Sequence, residues 1–353
     1  MIKNARIIGQ DIDPEAYHRQ DAERGTPDFA LSPSSLKEFA RCPARWIAGY
    51  NSPGSDAKSW GNILDTLALQ PAKFASRYAV RPETYPAPAG HVKVKKGELA
   101  EGDTLPWNAN AGVCQEWAEA NAGREILSPA MMERADAALA RLRADSTIAA
   151  MIDGSAKQVL VVGEWHDEPI GIVTPIRCLM DMVPAIGGQF PKSLADLKTT
   201  RSAALVPFQR AVWQFGWHVQ AAFDLDLYCA ATGEDRCQWV FVVQESFEPW
   251  QTAKRLLAED YVNIGRRDYQ QALTLYSQCR SRQKWPDYDS TDEARGLGGF
   301  SLVSPEPWME SAGQFAPQFE IEPDAEAPEG AGRPSGARGP LPRLVRGPAL
   351  DLR

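Results

Sequence analysis

The sequence has no CxxC pair and no short His/Cys spacing, so neither a zinc site nor a disulfide framework is expected. Its six cysteines (Cys42, Cys114, Cys178, Cys229, Cys237 and Cys279) are scattered, and are expected to be reduced thiols, mostly buried. It also lacks long apolar runs. Stretches such as Val159–Gly163 fall far short of the ~20 residues a membrane-crossing helix needs, which argues against a membrane partner. No apolar segment follows Met1-Ile2-Lys3-Asn4, so no secretory signal is read there, and the expected location is the cytoplasm of a bacterium or a phage-infected host. No internal repeat is found. Nor is there an excess of positive charge: the formal net charge is −8. That balance does not advertise a nucleic-acid binder, yet it permits one, because basic groups need only line one groove.

What is present is material for a globular core: 44% of the 353 residues are apolar. Residues 1–30 read as a polar, irregular N-terminal arm. A helix start follows at Leu31-Ser32-Pro33-Ser34-Ser35, with Ser32 or Ser34 as N-cap and Leu36, Phe39, Ala40 and Trp46 at helical spacing. Gly61–Leu69 is a short helical stretch, and residues 79–106 read as a long surface loop. Helical patterns return at Ala111–Asn121 and Pro129–Ala144. Gln158–Trp165, Gly171–Pro184 and Ser193–Thr200 read as strands. A long helix is expected over Ala203–Thr232, a strand over Cys237–Gln244, and helix from Pro249 to Gln283. Residues 311–353, rich in Pro, Gly, Ala and Arg, read as a disordered tail. The predicted class is α+β, with a domain over 31–310 in which helices flank a small mixed sheet.

Chemistry concentrates in the strands. Asp181 stands in the apolar run Cys178-Leu179-Met180-Asp181-Met182-Val183, and Asp196-Leu197-Lys198 lies in the next strand-like run. Side chains alternate along a strand, so Asp196 and Lys198 share a face while Leu197 points away. If the two strands are neighbours, Asp181, Asp196 and Lys198 converge. Two carboxylates on rigid strands suit Mg²⁺, a hard cation preferring oxygen, and Mn²⁺ is equally compatible. A lysine beside such an ion can orient or deprotonate the attacking water, with burial and metal charge lowering its pKa. Asp-x-Lys alone is a common tripeptide and would equally serve as an exposed ion pair. The order of acid-bearing strand, turn, D-x-K strand and helix bearing Gln220 is what points to phosphodiester hydrolysis.

With these segments in view the chain resembles the PD-(D/E)XK nuclease superfamily, and within it the RecE-like (exodeoxyribonuclease VIII-type) phage and bacterial recombination exonucleases. The resemblance runs from about Leu31 to Tyr288. It includes Leu31-Ser32-Pro33-Ser34-Ser35 with Arg41-Cys42-Pro43-Ala44, and Trp60-Gly61 with Leu67-Ala68-Leu69-Gln70-Pro71. Pro106-Trp107-Asn108, Asp196-Leu197-Lys198-Thr199-Thr200, His218-Val219-Gln220-Ala221-Ala222 and Lys284-Trp285-Pro286-Asp287-Tyr288 complete it. It implies Asp181 and Asp196 as metal ligands with the Leu197 carbonyl as a further one, Lys198 as the catalytic lysine, and Gln220 as the helix glutamine that holds the DNA end or the lysine. Glu164, one strand earlier, is an accessory-acid candidate, with a solvent-facing strand residue as the alternative. Arg201, with Thr199 and Thr200, is a candidate DNA contact where a strand end meets a helix start.

Two positions depart from the pattern. Asp65 stands where many relatives carry histidine; a carboxylate can ligate Mg²⁺ too, and a solvent-facing helix residue is the alternative. Asp224 stands where relatives often carry tyrosine, one turn after Gln220 and on the same helix face. His218 is expected in the core or at the surface, and Trp46 and Trp213 in the core, with stacking on bases as the alternative for the two tryptophans. Arg266 and Arg267 are candidates for a groove wall, or for a solvated helix face. The implied activity is resection of linear double-stranded DNA in recombination and repair, with homo-oligomeric assembly and a single-strand annealing protein as partner. The alternatives are a catalytically inactive DNA-binding scaffold on the same fold, for which Asp65 and Asp224 are the motive, or an endonuclease of the superfamily.

Overall fold

The computed structural model describes residues 1–50, 56–290 and 300. The tail read over 311–353 therefore lies outside the described residues. The centre of the fold is a six-stranded sheet whose strands stand side by side in chain order: β1 (Ile2–Gly9), β2 (Ser155–Asp167), β3 (Ile172–Pro184), β4 (Ser193–Thr200), β5 (Gln238–Glu245) and β6 (Thr252–Leu256). All neighbours are antiparallel except β4 and β5, which run parallel. A parallel pair needs a crossover, and helical segments supply it between Leu205 and Thr232. The α+β class is the one observed.

Helices cover both faces. On one, α1 (Pro33–Arg41), α6 (Trp217–Thr232) and α7 (Glu259–Arg282) close over Val159, Val161, Cys178, Met180 and Phe241. On the other, α2 (Asp56–Leu69), α3 (Pro129–Arg143) and α4 (Ser146–Asp153) pack on Met182, Ala195, Leu197 and Val242. A sheet buried on both faces needs apolar residues in both registers, which is why its inner strands read as nearly continuous apolar runs. The Ser32 hydroxyl caps α1 by accepting from Ser35 N at 3.2 Å. An edge-to-face aromatic knot of Phe39, Trp46, Tyr276 and Trp285, with centroids 5.4–6.2 Å apart, ties α1 to α7 and to the segment beyond it. The Ser-Pro-Ser-Ser and Lys-Trp-Pro segments thus meet through core packing.

Four sequence expectations need correction. Residues 2–9, read as part of a loose arm, form the edge strand β1; Asn4 adopts φ +53° and the register shifts between Lys3 and Arg6, which destroys the alternation that would have revealed a strand. Residues 79–106 are not a bare loop: Tyr78–Val80 pairs with Glu125–Leu127, and Thr84–Pro86 with Thr104–Pro106. The helix expected over 203–232 is two, α5 (Leu205–Gln214) and α6, broken where Gly216 takes a left-handed conformation (φ +61°). Within 249–283, Thr252–Leu256 is strand β6 rather than helix; as a polar edge strand it is held by backbone pairing and carries little apolar signal. The six cysteines are free thiols, with Cys237 exposed. Among the described residues no helix is long and apolar enough to cross a membrane.

Candidate active site

The site forms where β3 and β4 part. Their ladder holds at Met182 opposite Ala195. One step further the Asp181 side chain reaches across the opening, its Oδ2 accepting from Leu197 N at 3.0 Å. Gln158 Nε2, from β2, donates to the other oxygen at 3.3 Å. The N–H and C=O of one strand residue point to the same side, so the Leu197 carbonyl also faces this opening. Asp196 and Lys198 share a face, as strand alternation predicts, and Lys198 Nζ lies 2.6 Å from Asp196 Oδ2.

Asp196 is 2% exposed. Its Oδ1 accepts from Gln220 Nε2 of α6 at 3.0 Å, whereas Oδ2 faces the Lys198 ammonium. The structure therefore brings Asp181, Asp196, the Leu197 backbone, Lys198 and Gln220 to one place. Lys198 also stands over the Trp217 ring, 5.8 Å from its centroid.

Asp65 is added from the opposite helix layer through a glycine. A Cβ on Gly61 would stand 3.1 Å from the Thr199 hydroxyl, so glycine lets α2 lie against the end of β4. Asp65, one turn later on the same face, is thereby aimed at the carboxylate cluster. Burial, and next the charge of Asp181, push its carboxyl well above the usual range. Asp181 is raised to about 7 by burial and then by Asp196. Asp224, 1% exposed, is likewise driven far upward by burial and then by Asp196, and its Oδ1 is left without a partner. Burial alone would lower Lys198, but the Asp196 and Asp181 charges outweigh it and its ammonium is held above the ordinary lysine range. Lys198 is the counter-charge of Asp196 and Asp181.

Other candidates fall elsewhere. Glu164 accepts from Asn4 Nδ2 at 2.7 Å and meets His166 Nε2 at 2.8 Å. It lies six residues along β2 from Gln158, roughly 20 Å at the rise of a strand, and is no part of this site. Thr199 and Thr200 end β4, with the Thr200 carbonyl engaged by Ser246. Arg201 is exposed just beyond, with no ion pair among the described residues. Arg266 is locked to Asp226 by two 2.8 Å bonds, and Arg267 to Asp268, so neither stands as a free groove wall. His218 is buried, whereas Trp213, expected in the core, is 58% exposed.

Two groups were missed from the sequence. Gln158 gave no signal beyond a polar residue opening an apolar strand. Lys37 of α1 donates to the Phe215 carbonyl at 3.0 Å, and burial, followed by the nearby Lys198, lowers its pKa to about 8. Only its place just after the Ser-Pro-Ser-Ser segment hinted at a role.

A family model described as a PDDEXK-like domain of unknown function (DUF3799) matches residues 32–295. The chain belongs to this PDDEXK-like family. No curated protein matches it. A crystal structure titled "Putative exonuclease" from Eubacterium rectale is similar, with a TM-score of 0.50 at 15% identity over 87% of this chain and 100% of that one. At that identity the likeness is one of fold.

PD-(D/E)XK nucleases usually use divalent metal ions. Here the available donors are carboxylate and carbonyl oxygens, which fits a hard cation; the buried Asp196 Oδ2 is met by the Lys198 ammonium at 2.6 Å, where positive charge is already held. Asp181, Asp196 and the Leu197 carbonyl would hold it. Among the described residues no three His, Cys, Asp or Glu side chains form a ready cage.

Proposed function

We propose that this PDDEXK-like protein is a metal-dependent DNA exonuclease hydrolysing phosphodiester bonds of linear double-stranded DNA. The observation that carries the reading is the convergence of Asp181, Asp196 and Lys198 at the parting of two strands. A divalent cation bound there, Mg²⁺ or Mn²⁺, would place positive charge against the scissile phosphate and acidify water.

The chain's own residues do the rest. Gln158 and Leu197 N fix the Asp181 carboxylate, and Gln220 fixes Asp196, so neither has to be ordered when substrate arrives. Lys198, relieved of part of its carboxylate neighbourhood once a cation shares it, is placed to hold the attacking water or a phosphate oxygen. Arg201, with the end of β4, is placed to take a neighbouring phosphate. Resection in recombination and repair, homo-oligomeric assembly and a single-strand annealing partner belong to the same reading through the family resemblance.

End-labelled linear duplex and closed circular DNA, each with Mg²⁺ or Mn²⁺, test it. The expected result is nucleotide release from the linear substrate by the wild-type protein and loss of at least ~10²-fold in Lys198→Ala. Nicking of the circle would make it an endonuclease. DNA binding with no cleavage under either ion would leave the scaffold reading, with Asp65 and Asp224 as marks of a lapsed site.

A further inference from the structure

The helix that leads from the D-x-K strand to Gln220 presents an unpartnered aromatic surface. α5 buries Phe208 and Val212, while Val206, Arg210 and Trp213 share its outer face at helical spacing and are exposed. Trp213 is 58% exposed, and Phe215, just past the helix end, 47%. Trp213 is not loose. Its ring lies flat on His218, with centroids 5.1 Å apart and planes 3° from parallel. His218 is itself buried, with Nδ1 3.2 Å from the Val212 carbonyl and Nε2 3.6 Å from Asp268. One face of the indole is thus backed and the other is open.

The surface adjoins the site. The Phe215 ring is 5.3 Å from the Trp217 ring, and Trp217 underlies Lys198. The chain segment that carries the surface has charge of one sign. Residues 197–223 contain no Asp or Glu in a chain that carries 46 of them, while Lys198, Arg201 and Arg210 fall within the run. Asp268, beside His218, is already paired with Arg267 at 3.0 Å.

Exposed rings with a rigid backing, on a segment that carries arginines and no acids, match what unpaired nucleobases need: a π-face for the base and cations for the phosphates. A duplex offers its bases to no such surface, because they are stacked inside. We propose that Trp213 and Phe215, with Arg201 and Arg210, form a stacking platform for unpaired bases of the nucleic-acid strand adjoining the cleavage site. The proposal rests on the nuclease reading for the position of the strand, and it assigns the protein single-stranded DNA as a second ligand form.

The test is binding rather than cleavage. Labelled oligothymidine and an abasic oligonucleotide of equal length are titrated with the full chain in Ca²⁺, by fluorescence anisotropy. The wild type should favour the base-bearing strand by roughly five- to a hundredfold. Trp213→Ala with Phe215→Ala should abolish that preference while leaving abasic binding unchanged. Trp213→Phe, which keeps a ring, should restore most of it and controls for folding. Arg201→Gln and Arg210→Gln should weaken both ligands alike and each lower the salt slope by about one. Equal wild-type affinity for the two strands would overturn the platform. So would a Trp213→Ala/Phe215→Ala variant that changes sedimentation but not oligonucleotide binding, since the patch would then be a contact between copies. Failure of the nuclease reading shows separately, as absence of cleavage of linear duplex by the wild type.

Discussion

Replacing Asp181 with asparagine should remove activity and make the cation-free protein more stable, with the gain set by pH. Asp181 is raised from 3.8 to about 7, by burial first and the Asp196 charge second. A carboxyl moved that far costs about 4 kcal/mol when ionised in the folded state, before solvent at its partly accessible tip discounts the figure. The sign follows from linkage. Because the folded value lies above the unfolded one, the carboxyl's contribution to stability is complete below the unfolded value and is lost as pH rises through about 7. Asparagine carries no charge at any of these pH values. Its side-chain oxygen can still accept from Leu197 N, and Gln158 can turn its amide to accept from the new amide nitrogen, so both bonds of the carboxylate survive. At about pH 8 the variant should therefore gain roughly 2–4 kcal/mol, or several degrees in Tm, and near pH 4 nothing. Thermal unfolding of wild type and Asp181→Asn, each in chelator and in Mg²⁺ at both pH values, is the assay. Mg²⁺ should raise the wild-type Tm at high pH and the variant's much less, because the variant lacks the charge the ion neutralises. A gain independent of pH, or a loss at both, would refute the reasoning that these carboxylates repel one another until a cation arrives.

Gln220→Ala strips Asp196 Oδ1 of its donor and should lower cleavage about 10–100-fold with little change in Tm, as comparison of rate and unfolding midpoint would show. Glu164→Ala should leave cleavage within about twofold of wild type, since Glu164 lies some six strand residues from Gln158; an end-labelled duplex assay is sufficient to reveal a larger effect. Gly265→Ala places a Cβ 2.1 Å from the His218 carbonyl oxygen, where α6 and α7 meet backbone to backbone. It should destabilise by about 3 kcal/mol, measured by urea unfolding, with lost cleavage following lost fold.

The site could be read from the sequence where chemistry and periodicity coincide. Asp196 and Lys198 are two apart in a strand, so their shared face follows from alternation, and Gln220 one helix later lies 3.0 Å from Asp196. What could not be read is whatever depends on one element meeting another distant in sequence. Gln158 reaches the cluster from β2 and Lys37 comes within range of its charges from α1, and neither carries a local signature. Asp65 gains its aim from the close approach of Gly61 to Thr199, a contact visible only once α2 lies on β4. β1 and β6 were missed because edge strands need little apolar alternation, and a bulge removed what β1 had. Trp213 was expected inside because tryptophan usually is, with base stacking as the alternative; its exposure is the departure from pattern that favours the alternative.

The parallel pairing of β4 with β5 governs when this site can exist during synthesis. β4 has a continuous ladder only with β5, from Ser193 opposite Gln238 to Thr200 opposite Glu245; toward β3 it has the one pairing of Met182 with Ala195. A nascent chain ending before Gln238 already carries Asp65, Asp181, Asp196, Lys198 and Gln220, yet lacks the neighbour that holds the D-x-K segment straight. The ladder forms only after the intervening helices have been made and folded back, a long-range closure that comes late in folding. On the proposed reading, fragments and unfinished chains that lack β5 would carry the site residues without the assembled site, by topology alone and without an inhibitor.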